Sequence, residues 1–223
     1  MIKLVAFDWN GTILADTYAV FKADNEVLKR LGEKPVNFSD FLKHFDVPVK
    51  NYYLALGMDP KKLEANLDFI SHTFHDIYES KVNRIRSRAN ARTVLKWLKK
   101  HEIESIIISN HIKDRIEEQL ARLKLKNYIS QVLGNFSISS AMKARNKQER
   151  LLEYLKETKT EPKEILIVGD SIEEVEIAKE IGALSAAITH GNVSTKRLKR
   201  AKPDYLISDL GNVINIVHEI NTA

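Results

Sequence analysis

Short apolar runs bounded by turn residues recur along the chain at Ile2–Phe7, Ser105–Ser109, Gln131–Leu133, Ile165–Gly169, Ala183–Ile188 and Tyr205–Ile207. Apolar runs of this length suit strands of a parallel sheet buried on both faces. The segments between them carry a helical period. Ala91–His101 sets Val94, Leu95, Trp97 and Leu98 among lysines, and Lys113–Lys124 places Ile116, Leu120 and Leu123 on one side. Gln148–Thr158 and Ile172–Gly182 follow the same rule. Strands alternating with helices predict an α/β fold with a doubly wound, Rossmann-like parallel sheet.

One stretch breaks the alternation. From Tyr18 to Arg88 the pattern is helical throughout, with helices expected at Asn25–Leu31, Asp40–Phe45 and Pro60–Ser80. Turns are expected at Gly32–Pro35, Val47–Val49 and Gly57–Pro60. A helical block inserted after the first strand reads as an all-helical cap domain over the carboxyl end of the sheet. The expected division is a core of residues 1–16 and 89–223, with a cap of residues 17–88.

Composition narrows the class. The 223 residues are 43% hydrophobic and 29% charged, enough for one core plus a small accessory domain. No stretch approaches the roughly 18 consecutive apolar residues of a membrane span. Met1–Asp8 is charged too early to read as a secretion signal. The absence of cysteine excludes disulfides and thiolate metal sites, and a cytoplasmic location is the expectation. The net charge is +5, but basic and acidic residues alternate along the chain. No aromatic-and-basic motif accompanies them, so a nucleic-acid partner is not expected. A modest positive field also suits a small anionic substrate. The sequence leaves monomer and homodimer open.

The chemistry gathers at strand ends. Phe7-Asp8-Trp9-Asn10-Gly11-Thr12 follows the first run directly. Ligands of open parallel sheets bind beyond the carboxyl ends of the strands, which is where Asp8 falls. Gly11 permits a tight turn, and the Thr12 hydroxyl with nearby backbone N–H groups can face an anion. Ile165–Gly169 likewise ends in Asp170, followed by Ser171, Glu173 and Glu174. Two strand-end carboxylates can share one hard cation, with oxygen ligands and water completing an octahedron. Ile106-Ile107-Ile108-Ser109-Asn110 supplies a hydroxyl and an amide at a third strand end, and Lys143 and Lys147 precede the fourth strand. Each acidic or hydroxyl residue also fits a plain helix cap, so the weight lies in their coming in order.

These pieces resemble the haloacid dehalogenase superfamily over nearly the whole chain. Its first motif, Asp-x-Asp-Gly-Thr, is similar to Asp8-Trp9-Asn10-Gly11-Thr12, and its strand-end Ser or Thr to Ser109. Its lysine matches Lys147 best, with Lys143 as fallback, and its Gly-Asp-(Ser/Thr)-x-x-Asp motif is similar to Gly169-Asp170-Ser171-Ile172-Glu173-Glu174. Asp16-Thr17, Gly182-Ala183 and Pro203–Leu210 extend the likeness. The helical block resembles the family's type-one cap, and the whole resembles its phosphoglycolate phosphatase-like members. The resemblance implies a Mg²⁺-dependent phosphatase acting on a small phosphorylated metabolite. Asp8 would be the nucleophile that forms an aspartyl-phosphate. Mg²⁺ would bind Asp8, the Asn10 carbonyl and Asp170, with Glu174 or Glu173 holding a coordinated water. Ser109 would hydrogen-bond the transferring phosphoryl group, with Gly11, Thr12 and Asn110 on the substrate. Lys147 would balance the charge.

Asn10 departs from the pattern, because the family's phosphatases carry there the acid–base aspartate, and an amide cannot exchange that proton. Three accounts remain open at this point. A cap histidine, His44, His72 or His75, supplies the proton; the leaving group is good or turnover slow; or the chemistry differs. Phosphonoacetaldehyde hydrolase has a similar first motif and uses a cap lysine as a Schiff base, for which Lys22, Lys43 and Lys50 are candidates. A phosphate-binding or regulatory protein with little turnover is the reading from another class. Trp9 is either a wall beside Asp8 or plain core. Arg84, Arg86 and Arg88, where the chain leaves the helical block, either face an anion or form an exposed linker.

Overall fold

The structure, a computed structural model, describes residues 1–136 and 146–222. Lys143, the fallback lysine, lies outside the described residues. Each apolar run forms a strand: β1 (Leu4–Phe7), β2 (Glu104–Ile112), β3 (Gln131–Asn135), β4 (Ile165–Gly169), β5 (Leu184–Ile188) and β6 (Tyr205–Ile207). All pairings are parallel, in the order β3-β2-β1-β4-β5-β6. The direction of winding reverses at β1, flanked by β2 on one side and β4 on the other. That reversal opens a crevice at the carboxyl ends of β1 and β4, the place where such sheets bind ligands.

Alternation along the strands divides the core between the two faces of the sheet. Val5, Phe7, Ile107, Leu166 and Val168 point to one face, among Val94, Leu95 and Leu98 of α6 (Ala91–Lys100) and Ile116 and Leu120 of α7 (Lys113–Arg122). Leu4, Ala6, Ile106, Ile108, Ile165 and Ile167 point to the other. Leu151 and Leu155 of α8 (Lys147–Thr158) and Ile177 and Ala178 of α9 (Ile172–Ile181) cover that second face. Helices on both faces explain why the strand sequences are apolar without interruption. Two further helices, α10 (Thr195–Ala201) and α11 (Asn212–Thr222), flank β6.

The helical block comprises α1 (Thr17–Arg30), α2 (Phe38–His44), α3 (Lys50–Ala55), α4 (Pro60–Ala65) and α5 (Leu67–Val82). Three differences from the expected elements are physical. Helix α1 begins eight residues earlier than the apolar period suggested, because Val20, Phe21 and Ala23 are buried against the rest of the block. The single helix expected over Pro60–Ser80 is broken at Asn66, whose side-chain amide donates to Lys62 O. Helix α3 was not expected. Six residues show no period, and Tyr52 and Tyr53 hold it by burial. Around them Phe41, Phe45, Tyr52 and Tyr53 pack ring to ring at centroid spacings of 5.1 to 5.9 Å. No described helix is long and apolar enough to cross a membrane.

Candidate active site

Asp8 follows β1 and Asp170 follows β4, so the adjacent parallel strands bring the two carboxylates together. The Thr12 hydroxyl lies between them, 3.5 Å from Asp8 Oδ2 and 3.2 Å from Asp170 Oδ1. Gly11, at φ +74°, carries the chain past this pair; a Cβ there would run into the Asp170 carboxylate. The backbone N–H of Asn192, in the loop after β5, donates to Asp170 Oδ2.

Lys147 opens α8 and is buried, with its ammonium 3.0 Å from Asp8 Oδ1 and 3.2 Å from Glu173 Oε2, and in contact with Glu174. Glu173 and Glu174 occupy the first turn of α9. Glu174 Oε2 accepts from the Ser171 hydroxyl (2.7 Å) and the Ser171 N–H (3.1 Å), so the capping role and the site role coincide. Both Glu174 oxygens are thereby engaged by protein donors. Glu173 Oε2 accepts from Asn110 Nδ2 at 2.8 Å, while its Oε1 is buried without a partner.

Charge at this floor is unbalanced. Burial raises the Asp8 pKa well above the usual carboxylate range, Lys147 opposes the rise, and Glu174 and Asp170 add to it. Asp170 is pushed up to about 7 by burial and by Glu174, against the Asn192 N–H and Arg88. Burial would lower Lys147, but Asp8, Glu174 and Glu173 override it and hold the ammonium well above its usual value. For Glu174, the burial penalty is outweighed by Lys147, and its pKa falls. Four buried carboxylates facing one buried ammonium form a pocket of excess negative charge that fits a cation. Among the described residues no group of three or more acidic or imidazole side chains forms a closed metal cage. The donor set present instead is the Asp8 and Asp170 carboxylates, with the Asn10 carbonyl two residues along the chain from Asp8. That suits Mg²⁺, which keeps several waters and takes one or two protein carboxylates.

The site residues predicted from sequence are not all equivalent. Asp8, Asn10, Ser109, Asn110, Lys147, Asp170 and Glu174 line one cavity of about 140 Å³. Gly11 and Thr12 do not line it. The Gly11 N–H is given to Asp16 Oδ1 at 2.6 Å, and Thr12 bridges the two carboxylates from behind. The Ser109 hydroxyl accepts from the His111 N–H at 3.1 Å. Of the three cap histidines only His75 lines the cavity; its Nδ1 donates to Ser71 O at 2.8 Å, and burial lowers its pKa. Lys22, Lys43 and Lys50 are not on the wall. Trp9 is core, fully buried, with Nε1 donating to Gln119 Oε1 at 2.6 Å. Arg88 donates to the carbonyls of Thr189 and His190, both at 2.8 Å, while Arg84 and Arg86 are exposed.

Sequence reasoning missed a network around Asn10. Its Nδ2 donates to Asp16 Oδ2 at 2.6 Å and to the Tyr78 hydroxyl at 2.8 Å, and that hydroxyl donates to Asp16 Oδ2 at 2.6 Å. Asp16 can only accept when ionised, which fixes which end of the Asn10 amide faces it. It also missed His111, Asn192 and the cap wall. A glycine and polar residues directly after β5, as after β1 and β4, were the available signal for Asn192. Nothing local marked the cap residues.

The family profile of haloacid dehalogenase-like hydrolases matches residues 5–188. The chain belongs to this family. It is therefore a hydrolase of a Mg²⁺-dependent superfamily. A phosphoglycolate phosphatase of Pseudomonas fluorescens is 24% identical over 220 residues, covering 95% of this chain and 78% of that protein. A phosphoglycolate phosphatase of Vibrio cholerae is 22% identical over 97% of both chains. The crystal structure of a predicted phosphatase from Clostridium acetobutylicum superposes with a TM-score of 0.82 at 18% identity, covering 98% and 99% of the two chains. At that identity the superposition shows the shared fold of this family member.

Proposed function

We propose that this haloacid dehalogenase-like hydrolase is a phosphatase that hydrolyses a small phosphate monoester through an aspartyl-phosphate on Asp8. The observation that carries the reading is the Asp8–Thr12–Asp170 bridge at the sheet's reversal point, with Lys147 on the remaining Asp8 oxygen. Asp8, the Asn10 carbonyl and Asp170 would hold Mg²⁺, with Glu174 or Glu173 ordering a water beside it. The ion supplies neutralising charge where a carboxylate must approach a phosphate dianion.

In the first step an Asp8 oxygen forms a bond to phosphorus and the ester P–O bond breaks, its electron pair leaving on the ester oxygen. Lys147 opposes the rise that burial imposes on the Asp8 pKa and offsets charge as the phosphoryl group moves. Ser109 and Asn110, in the carboxyl half of β2, donate toward the phosphoryl oxygens. Asn10 neither gives nor takes a proton, so the leaving oxygen is protonated by water. In the second step water attacks the phosphorus and releases Asp8 and phosphate. His75, its Nδ1 proton committed to Ser71, is a neutral ring on the cavity wall suited to accept a proton from that water.

The test is turnover of p-nitrophenyl phosphate with Mg²⁺ by the wild type and by Asp8→Asn. A folded Asp8→Asn protein is expected to lose at least about 10³-fold in kcat, as for removal of a covalent nucleophile. Retention of wild-type turnover would remove Asp8 from the chemistry.

A further inference from the structure

The cavity is polar at its floor, and its cap side mixes apolar side chains with Tyr53, Ser71, His75, Tyr78 and a single carboxylate. Val20 and Asp24 lie one turn apart on α1 and both line it, alongside Phe45, Val47, Ile70 and Phe74. Asp24 is the one acidic side chain that the described cap residues contribute to this wall, and it is only 1% exposed. Its Oδ1 accepts from the Tyr53 hydroxyl at 2.9 Å. Its Oδ2 is buried and has no partner. A buried acceptor left unmade costs about 1–3 kcal/mol, so a carboxylate kept in this state is poorly explained by packing alone. Among the described lining residues Lys147 is the sole lysine or arginine, and it is already committed to three carboxylates at the floor. On the cap side a bound ester therefore meets a carboxylate acceptor among apolar and neutral polar side chains, and no described lysine or arginine.

We infer that Asp24 Oδ2 selects the leaving group, accepting a hydrogen bond from a hydroxyl or ammonium at the distal end of a compact, otherwise apolar phosphate ester. The phosphate end of this assignment rests on the phosphatase reading above. Burial pushes the Asp24 pKa up to about 7, so above that pH esters with a distal carboxylate, phosphoglycolate among them, are disfavoured, because two buried like charges would meet at Asp24. On this point the chain departs from what the names of its phosphoglycolate phosphatase relatives suggest.

A matched series of alkyl compounds two to six carbons long, ended by methyl, hydroxyl, ammonium or carboxylate, tests the assignment. Alkyl phosphonates, which have no ester bond to hydrolyse, report binding by calorimetry with Mg²⁺ at a pH well above 7, where Asp24 is ionised; the corresponding phosphates report kcat/KM at the same pH. At the best-fitting length, hydroxyl- and ammonium-ended compounds are expected to bind about tenfold or more tightly than methyl-ended ones, with carboxylate weakest. The two donor arms show which group is taken. Asp24→Asn, nearly isosteric, is expected to remove the ammonium advantage and to narrow the discrimination against carboxylate. Equal affinity for all ends, tightest binding of carboxylate, or the same order in Asp24→Asn would overturn the assignment. If that variant does not fold, the wild-type order decides. Absent turnover with the affinity order intact removes the phosphatase reading alone. Turnover without discrimination removes the Asp24 assignment alone, and no binding of any compound removes both.

Discussion

Changing Asn10 to aspartate looks from the sequence like the repair of a missing acid–base group, but the structure predicts that it carries a stability cost that depends on pH. The Asn10 amide donates to Asp16 Oδ2 over 2.6 Å and to Tyr78. In Asn10→Asp that donor becomes a second carboxylate oxygen at the same separation. Two unit charges that close repel by roughly 6 kcal/mol at an effective permittivity near 20, equivalent to about four pKa units. The pair therefore keeps one proton in the folded state, while the unfolded carboxyl titrates near about 3.9. A group whose folded pKa is raised stabilises fully below its unfolded value and loses that contribution as pH rises toward the folded one. Relative to wild type, the variant should lose roughly 4 kcal/mol at pH 7 but only about 1.5 kcal/mol at pH 5, a slope of about 1.4 kcal/mol per pH unit. Urea unfolding of both proteins at pH 5 and pH 7, with metal chelated, reads this directly. An equal difference at both values, or no loss at pH 7, would refute the proton-sharing argument. The retained proton also sits where the leaving oxygen needs one. Turnover of an alkyl phosphate per folded molecule is expected to rise by about 10²-fold, the low end of general acid help.

Lys147→Met strips the buried ammonium from Asp8, Glu173 and Glu174. It should cost roughly 3–5 kcal/mol, because charges are left buried without their partner. Lys147 lowers the pKa values of Asp8 and Glu174, so without it both rise, and thermal unfolding at pH 5 and pH 7.5 should show the deficit shrinking toward the lower pH. A deficit that does not change with pH would deny the charge-balancing role. Asp170 is held at about 7 mainly by burial. Below that value Mg²⁺ must displace a proton, so its apparent affinity should fall by about tenfold per pH unit. Calorimetric titrations at pH 5.5, 6.5 and 7.5 measure this, and a flat profile would mean that Asp170 does not ligate the ion.

Much of the sheet was legible before folding, because each buried strand must be apolar on both faces and each needs a turn to leave the sheet. Pattern alone therefore located all six described strands and the helices α6 to α9 within a few residues, but not α10 or α11 beside β6. The second strand ran further than its apolar stretch, to Ile112, because Asn110 and His111 continue past the point where the register with β3 shifts. In the cap the same reasoning worked less well. The cap helices are short, and α3 exists because Tyr52 and Tyr53 are buried in an aromatic cluster drawn from several segments.

The sequence by itself determined which groups close the apolar runs: Asp8 and Asp170 stand at strand ends and Ser109 in the carboxyl half of β2, and a parallel sheet sends all of these the same way. Only the tertiary structure decided what those groups do to one another. It set Lys147 among three carboxylates that lie 26 to 139 residues away in sequence. It gave the Gly11 N–H to Asp16, tied Asn10 to Asp16 and Tyr78, and put Asp24 on the wall with one oxygen unmatched. The physical reason is range. Strand and helix periods follow from backbone geometry over a few residues, whereas charge balance, desolvation and hydrogen-bond pairing depend on distances that exist only once remote segments have packed.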